Sequence, residues 1–433
     1  MTWLQRHRIR LYIRNTIWVF PAFSIVGGII AVSLVTRFET WMGWKASISI
    51  DTARLIIGTV AASMFTLLVL VSSTVLVAVQ LAAGQLTPRI IALVYRNGFR
   101  KAALANFAFI FTFSVGVLAR LENSVPWLAC YIAAYGFLLN LGLFIYFVDD
   151  VGKSLRPSSI LRVIALMGRD VIHNVYPQTL IDDGSVFSGA AELAEEPLVR
   201  VVLNELDGAV LAFDAKGLVS LASRSNCLIE LIPEVGDYIA AGDPLFNLYL
   251  GGDGVSDDAL RESVAVGQER TVEQDPLYAF RIMVDIASRA LSPAVNDPTT
   301  AVLAIDQIHH LLSDVGKRRL TGGCETDARG TLRLVYPTPD WEDFVNLSIT
   351  EIRQYGRDSM QVVRRLRAMI ENLIATLPKR RIPSLQKELD MLGTSSARNF
   401  PDIEDQALAL RGDRQGLGGS VRIPGDRLVR NEV

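Results

Sequence analysis

The residues with the most chemical potential in this sequence lie between positions 267 and 306. Arg281, Asp285 and Arg289 follow one another at intervals of four, so on a helix they form one stripe in which Asp285 can pair with both arginines. Leu277, Phe280, Met283, Ile286 and Ala290 make an apolar face beside that stripe. Ser292-Pro293 ends the helix; Asn296 or Asp297 then caps a second one, with Pro298 at its first position and Thr299 and Thr300 in its first turn. Two arginines beside a helix N-terminus could hold a small anionic ligand, because free N–H groups and the helix dipole both favour negative charge there. The competing account is a polar hinge whose groups satisfy one another. Capping explains Asn-Asp-Pro and the ion-pair ladder explains the rest, so the hinge is favoured. The candidate ligand or hinge site is Arg281, Asp285, Arg289, Asn296, Asp297 and Thr299.

Other reactive types are sparse. His309-His310, with Asp306 one turn earlier, could be half of a metal site, but the only other histidines are His7 and His173 and no second cluster stands at ligand spacing. Paired histidines on a helix are more often surface or interface residues. The three cysteines, Cys130, Cys227 and Cys324, are far apart and unpaired in pattern, which fits reduced thiols rather than a disulfide framework or zinc knuckle. No phosphate-cradling loop, dinucleotide fingerprint, nucleophile elbow or zinc-protease motif is present. An enzyme is therefore not expected, nor is a cofactor or a metal. A net charge of -2, without a stripe of interleaved basic and aromatic residues, gives no reason to expect nucleic acid.

What must position these residues begins with a membrane domain. Half of the sequence is hydrophobic, and apolar runs of spanning length collect before residue 150. Spans are expected at about 16–36, 55–81, 102–119 and 125–148, none containing Asp, Glu, Lys or Arg. The N-terminal run is too long for a signal-peptide core, so it is read as a retained helix. Arg6, Arg8, Arg10 and Arg14 precede span one; Arg89, Arg96, Arg100 and Lys101 fill the second loop; Lys153, Arg156 and Arg162 follow span four. The remaining loops carry fewer: Arg37, Lys45 and Arg54 in one, Arg120 in the other. The positive-inside rule puts both termini in the cytoplasm. Without ionisable groups in the spans, charge-coupled transport is disfavoured.

Span two is the unusual one. Its uncharged stretch continues to Pro88, longer than a bilayer requires, and carries Ser63, Thr66, Ser72, Ser73, Thr74, Gln80 and Gln85. Ser73, Gln80, Gln85 and Pro88 are the candidate pore or gate residues. Small and hydroxyl residues also serve helix packing in membranes, and that simpler account is favoured. Asn106 and Asn140, the amides of spans three and four, are expected to bond between helices.

Beyond the membrane the sequence reads as a cytoplasmic α+β body. The expected divisions are a four-span domain at 1–150, a linker helix and connection at 151–197, and a small β-barrel or sandwich-like segment at 198–252. A helical segment at 253–410 and a disordered tail at 411–433 complete the chain. The turn Val235-Gly-Asp-Tyr-Ile-Ala-Ala-Gly-Asp-Pro-Leu245 resembles one in barrel-sandwich domains of the biotinyl and lipoyl type, although no lysine stands at a hairpin tip to carry a cofactor. Lys379-Arg-Arg381 reads as a solvated helix end.

Three stretches carry a resemblance covering nearly the whole chain. They are Arg270-Thr-Val-Glu-Gln-Asp-Pro276, Asp285-Ile-Ala-Ser-Arg-Ala-Leu-Ser-Pro-Ala-Val-Asn-Asp-Pro-Thr-Thr-Ala301 and Gln85-Leu-Thr-Pro-Arg89. In them the sequence resembles the domain-of-unknown-function 2254 family of predicted bacterial integral membrane proteins. That resemblance implies a bacterial inner-membrane location and four spans, and no activity. Two functions remain open: a homo-oligomeric channel or gated conduit, similar in architecture to small-conductance mechanosensitive channels, and a membrane-anchored sensor or scaffold binding an anionic ligand or protein partner. Either way the lipid bilayer is a partner.

Overall fold

A computed structural model describes residues 2–44, 49–91, 96–121, 125–180, 197–320 and 323–419. The loop residue Lys45, most of the connection expected up to residue 197, and the tail beyond 419 lie outside the described residues. The chain divides into two compact units: Ile9–Ser159, and Ile160–Val433 together with Met1–Arg8.

After α1 (Trp3–Asn15), the first unit holds α2 (Val19–Met42), α3 (Ile50–Gln85), α4 (Gly98–Leu118) and α5 (Trp127–Ser154). Among the described residues these four are long and apolar enough to cross a membrane. Each outruns the apolar stretch that announces it, because charged residues extend the helices past the hydrocarbon. Thus α2 takes in Arg37 and Glu39, and α5 takes in Asp149, Asp150 and Lys153. The 36 residues of α3 measure about 54 Å at 1.5 Å each, against a hydrocarbon core of about 30 Å. Local chemistry sets the ends. Ser49 caps α3 by accepting from Thr52 N at 3.2 Å, Asn97 caps α4, and Gly43 closes α2 at φ +69°. The helix α4 runs among the others, which explains why Phe107 and Phe113 are fully buried while α2 keeps Phe23, Ile29 and Leu34 on its outer surface. Close approach of α2 to α4 depends on Gly28, where a Cβ would stand 3.0 Å from the Phe109 carbonyl.

The second unit opens with α6 (Pro157–Val175), whose first residues belong to the first. It continues with β1 (Leu198–Leu203), β2 (Gly208–Phe213), α7 (Ala215–Ser225), β3 (Cys227–Leu231), β4 (Tyr238–Ile239) and β5 (Pro244–Leu250). There follow α8 (Asp257–Arg261), β6 (Val264–Gly267), α9 (Pro276–Ala290), α10 (Pro298–Val315), β7 (Gly323–Thr326) and β8 (Leu332–Tyr336). The last elements are α11 (Trp341–Tyr355), α12 (Met360–Thr376), α13 (Ile382–Asn399) and α14 (Ile403–Ala409).

The described strands form a five-stranded sheet, β1-β5-β3-β8-β7, and a three-stranded sheet, β4-β2-β6. The strand-rich stretch 198–252 is therefore not closed on itself. It borrows β6 and the β7–β8 pair, and β3 runs parallel to β8 with Ile229 opposite Leu334. Val210, Leu218, Ile229, Phe246, Leu260 and Leu334 pack between these elements. The expected 235–245 turn is built by Asp237 and Asp243, whose carboxylates accept from Glu234 N and Ala240 N, each at 2.8 Å. In the helical part, Phe280 of α9 meets Phe344 of α11 with ring centroids 5.3 Å apart.

Where a disordered tail was expected from residue 411, residues 411–419 are seated on α12. Arg364, fully buried, donates from Nε to Arg411 O at 3.1 Å and from Nη1 to Gly418 O at 2.8 Å. Asp413 folds the segment back by accepting from Gln415 N and Gly418 N. A stretch of Gly, Arg and Asp looks unstructured by composition, but here its carbonyls satisfy a buried cation.

Candidate functional site

The helix α9 starts at Asp275, whose Oδ1 accepts from Tyr278 N at 2.9 Å, with Pro276 at its first position. One turn on, Arg281 donates from Nε to Asp285 Oδ1 at 2.7 Å, as the four-residue spacing implies. It also reaches α11, where Nη1 and Nη2 grip the two oxygens of Glu351 at 2.5 and 2.8 Å. This bidentate pair, not visible in the local pattern, raises the Arg281 pKa further. One guanidinium between two carboxylates leaves the trio at net −1, which suits cross-linking α9 to α11 better than anion capture. Arg289 is exposed. Asn296 is exposed at φ +47°, and Asp297 caps α10 through Thr300 N at 3.1 Å and Thr300 Oγ1 at 2.5 Å. Asp297 N donates to Ala290 O at 2.7 Å, tying the end of α9 to the start of α10. Thr299 points outward. The residues therefore come together as a tight helix–helix corner.

The histidine pair joins a different network. Arg365 of α12 donates to Asp306 Oδ1 at 2.6 Å and to His309 Nδ1 at 3.2 Å, and His309 Nε2 meets Asn372 Oδ1 at 2.9 Å. An arginine can only donate, so Nδ1 is the unprotonated nitrogen and Nε2–H bonds to the amide. Burial holds the His309 pKa below its ordinary value. Among the described residues no group of three or more His, Cys, Asp or Glu could hold a metal ion.

A third cluster, missed by sequence reasoning, lies where the β part meets α9. Arg270 donates from Nη2 to Asp275 Oδ2 at 2.9 Å and lies over Tyr278, and Asp275 is 2 % exposed. Gly236 lets the guanidinium pass: a Cβ there would stand 1.9 Å from Arg270 Nη2. Gln274 bonds both backbone groups of Phe213 at the end of β2. The Arg270–Pro276 stretch thus pins sheet to helix, and the Arg and Asp five positions apart were the available signal. Glu234, half-buried beside this cluster, has its pKa pushed up to about 7 by burial first, then by Asp237, Asp343 and Asp275, against the pull of Arg270.

In the first unit, Ser73, Gln80, Gln85 and Pro88 are all exposed. Gln85 ends α3, and Pro88 begins a 3-10 turn, Pro88–Ile90. Thr59, Thr66, Ser72 and Thr74 bond to carbonyls one turn back, at 2.8 to 3.1 Å. Asn106 and Asn140 do bond across helices, Nδ2 to Oδ1 at 2.5 Å, and Asn140 Nδ2 reaches Met64 Sδ of α3 at 3.7 Å. Among the described residues, buried charged groups of these helices include Arg100 and Lys101 at the start of α4, which bond to Asp150 and to the Ile13 and Arg14 carbonyls, and Glu39 near the end of α2. Glu39, 4 % exposed, accepts from Leu128 N at 3.0 Å and so caps α5, whose N-cap Pro126 offers no side-chain bond. Its Oε2 meets no partner. The argument against charge-coupled transport, which rests on uncharged spans, does not cover Glu39.

Four apolar helices of spanning length joined to a mixed helical and sheet body define a membrane protein with a substantial body beyond its spans. The chain belongs to the DUF2254 family, described as a predicted membrane protein, whose model matches residues 14–372. It is 27% identical over 432 residues to an uncharacterised protein of Mycobacterium bovis and to another of Mycobacterium tuberculosis; each comparison covers 94% of this chain and 81% of the relative. An uncharacterised protein of a second Mycobacterium tuberculosis strain is 26% identical over the same coverage. No solved structure matches the chain.

Proposed function

We propose that the protein is a homo-oligomeric channel or gated conduit of the bacterial inner membrane, with α3 of each copy lining the shared path. Both termini and the body lie on the cytoplasmic side in this reading, in keeping with the basic residues flanking the spans. The observation that carries it is the outer face of α3. Thr52, Thr59, Thr66, Ser73 and Gln80 recur every seven residues, and all five are exposed. Seven residues advance a helix to about 20° short of two turns, so the stripe drifts by about 80° over its length and keeps to one side. Hydroxyls bonded one turn back tolerate lipid, but a carboxamide such as Gln80 does not favour hydrocarbon. A shared aqueous path accounts for the whole row. Gln85 and Pro88, where α3 gives way to the turn, are where a gate would act.

The second reading, a membrane-anchored sensor or scaffold, loses support for its anionic ligand because Arg281 already holds two carboxylates. Planar-bilayer recording of the purified protein tests the first. Discrete currents, altered in Ser73→Lys, are expected. Membranes that stay sealed at every voltage and tension rule out the conduit.

A further inference from the structure

Strand β1 lies at one end of the five-stranded sheet, and among the described residues it pairs only with β5. Hydrogen-bond directions along β5 fix what the other side of β1 offers. Ile232 N donates to Leu245 O at 3.1 Å, in the register that sets Glu230 opposite Asn247, so Leu245 and Asn247 bond toward β3. Bonding in an antiparallel ladder alternates residue by residue, and Phe246 and Leu248 therefore bond toward β1. Their partners there are Val202 and Arg200. Val201, between them, turns both its N–H and its C=O to the open side. The side chains agree: Val199, Val201 and Leu203 are 38, 40 and 45 % exposed, whereas Val202 is in the core. Arg200, the one charged residue of the strand, is spent on Asp257 and on the Gly252 and Val255 carbonyls.

We infer that β1 pairs antiparallel with β1 of a second copy, Val201 opposite Val201 across a two-fold axis, joining two five-stranded sheets edge to edge. An edge with an outward N–H and C=O is completed by another extended strand, and proteins that leave such an edge free guard it with charge, proline or shortness. β1 has six residues, no proline and its one charge engaged. The opposite edge is guarded: β7 has four residues, with Glu325 and Thr326 exposed. A second copy is the occupant because the two-fold pairing is self-complementary. Val199, Val201 and Leu203 of one copy meet Leu203, Val201 and Val199 of the other, and Arg200 falls opposite Val202 rather than its own like. The central pair exchanges two N–H···O bonds. Arg261 Nε already donates to Leu203 O at 3.0 Å, which centres the free backbone on Val201. Copies held in one membrane meet at high effective concentration, so a short edge suffices. The inference concerns the second unit alone and is independent of whether α3 lines a conduit.

The test is cross-linking of the full chain in the membranes in which it is made, with Cys130→Ser and Cys324→Ser and the buried Cys227 kept. A short thiol cross-linker is used, matched to the Cα separation of about 5.5 Å across such a pair. Val201→Cys should give cross-linked dimer several-fold above the parent. Val199→Cys or Leu203→Cys alone sets the two thiols four positions apart, about 14 Å, and should stay near the parent. Differently tagged copies, one Val199→Cys and the other Leu203→Cys, should cross-link to each other when made together. Adding Val201→Pro to both removes the outward N–H at an edge where proline is tolerated, and should abolish that product. Val201→Lys, which opposes two like charges, should do the same, and circular dichroism checks that both variants fold. Equal yields at the three single positions would mean chance collision and overturn the inference. So would no dimer at Val201→Cys, a cross-link there to some other protein, or a mixed product that survives either folded variant.

Discussion

Replacing Glu234 with Gln should stabilise the protein at alkaline pH and leave it unchanged at acidic pH. Glu234 sits half-buried where the 235–245 turn meets the acidic start of α11, and its pKa rises from 4.5 to about 7. A proton is therefore held more tightly in the folded state than in the unfolded chain. Stability from this source is complete below about pH 4.5 and is lost as pH rises through about 7. At 1.36 kcal/mol per unit, the shift corresponds to roughly 3 kcal/mol at most, and solvent screening of a half-exposed carboxylate brings this to roughly 1–2 kcal/mol. For a body of this size that is a shift of about 2–8 °C in unfolding midpoint. Glutamine reproduces the neutral carboxyl in shape, so the two proteins should melt together near pH 4, below both pKa values. Near pH 8 the variant should melt higher. Thermal unfolding of the full chain in detergent at both pH values measures this directly. Asp275 is raised by burial as well, but it is present in both proteins and largely cancels in the comparison. A variant that melts lower by the same amount at both pH values would show that Glu234 is held by bonds rather than strained by burial.

Three further outcomes test other parts of the structure. Gly28→Val should loosen the α2–α4 crossing by about 1–3 kcal/mol, because a Cβ there already presses on the Phe109 carbonyl; the unfolding midpoint in detergent reports it. Arg353→Met should cost about 3–5 kcal/mol by leaving Glu388 buried and unpaired, whereas the double variant with Glu388→Leu should recover most of it; denaturant unfolding of the four proteins completes the cycle. Arg364→Ala should free residues 411–419, so that trypsin cuts after Arg411 and Arg414 well before the folded body is digested.

The spans were legible because about twenty consecutive apolar residues have few alternatives to a membrane helix. Their ends were not, since a helix continues through charged residues wherever a cap or a partner receives them. Glu39 shows how: its carboxylate supplies the cap that Pro126 cannot, a relation between residues 39 and 128 that no local pattern encodes. The corner between α9 and α10 was legible in its caps and in the Arg281–Asp285 interval, both set within one or two turns. Glu351 lies 70 positions from Arg281, and its bidentate pair adds a tie to α11 that the favoured hinge reading, built on local intervals, did not contain. The β part shows the same division. The 235–245 turn follows from its Gly and Asp residues, while the parallel pairing of β3 with β8 joins Ile229 to the distant Leu334 over a core shared with Leu218 and Ala222 of α7.

The polar row on α3 and the buried Glu39 place opposite demands on any account of the membrane domain. A row of hydroxyls ending in Gln80 is exposed on α3, and lipid, water or, under the proposed assembly, another copy would meet it. Lipid accepts the back-bonded Thr59 and Thr66 but gains nothing from their seven-residue repeat, which packing against a neighbouring α3 would exploit. Glu39 faces inward, tied to the start of α5 with one oxygen unmatched, and belongs to the packing of α2 and α5. That carboxylate ties the end of α2 to the first turn of α5, a local bond without the repeat that α3 carries. Under the proposed conduit, the path is therefore to be sought on the outer face of α3, whereas Glu39 serves the packing of α2 against α5.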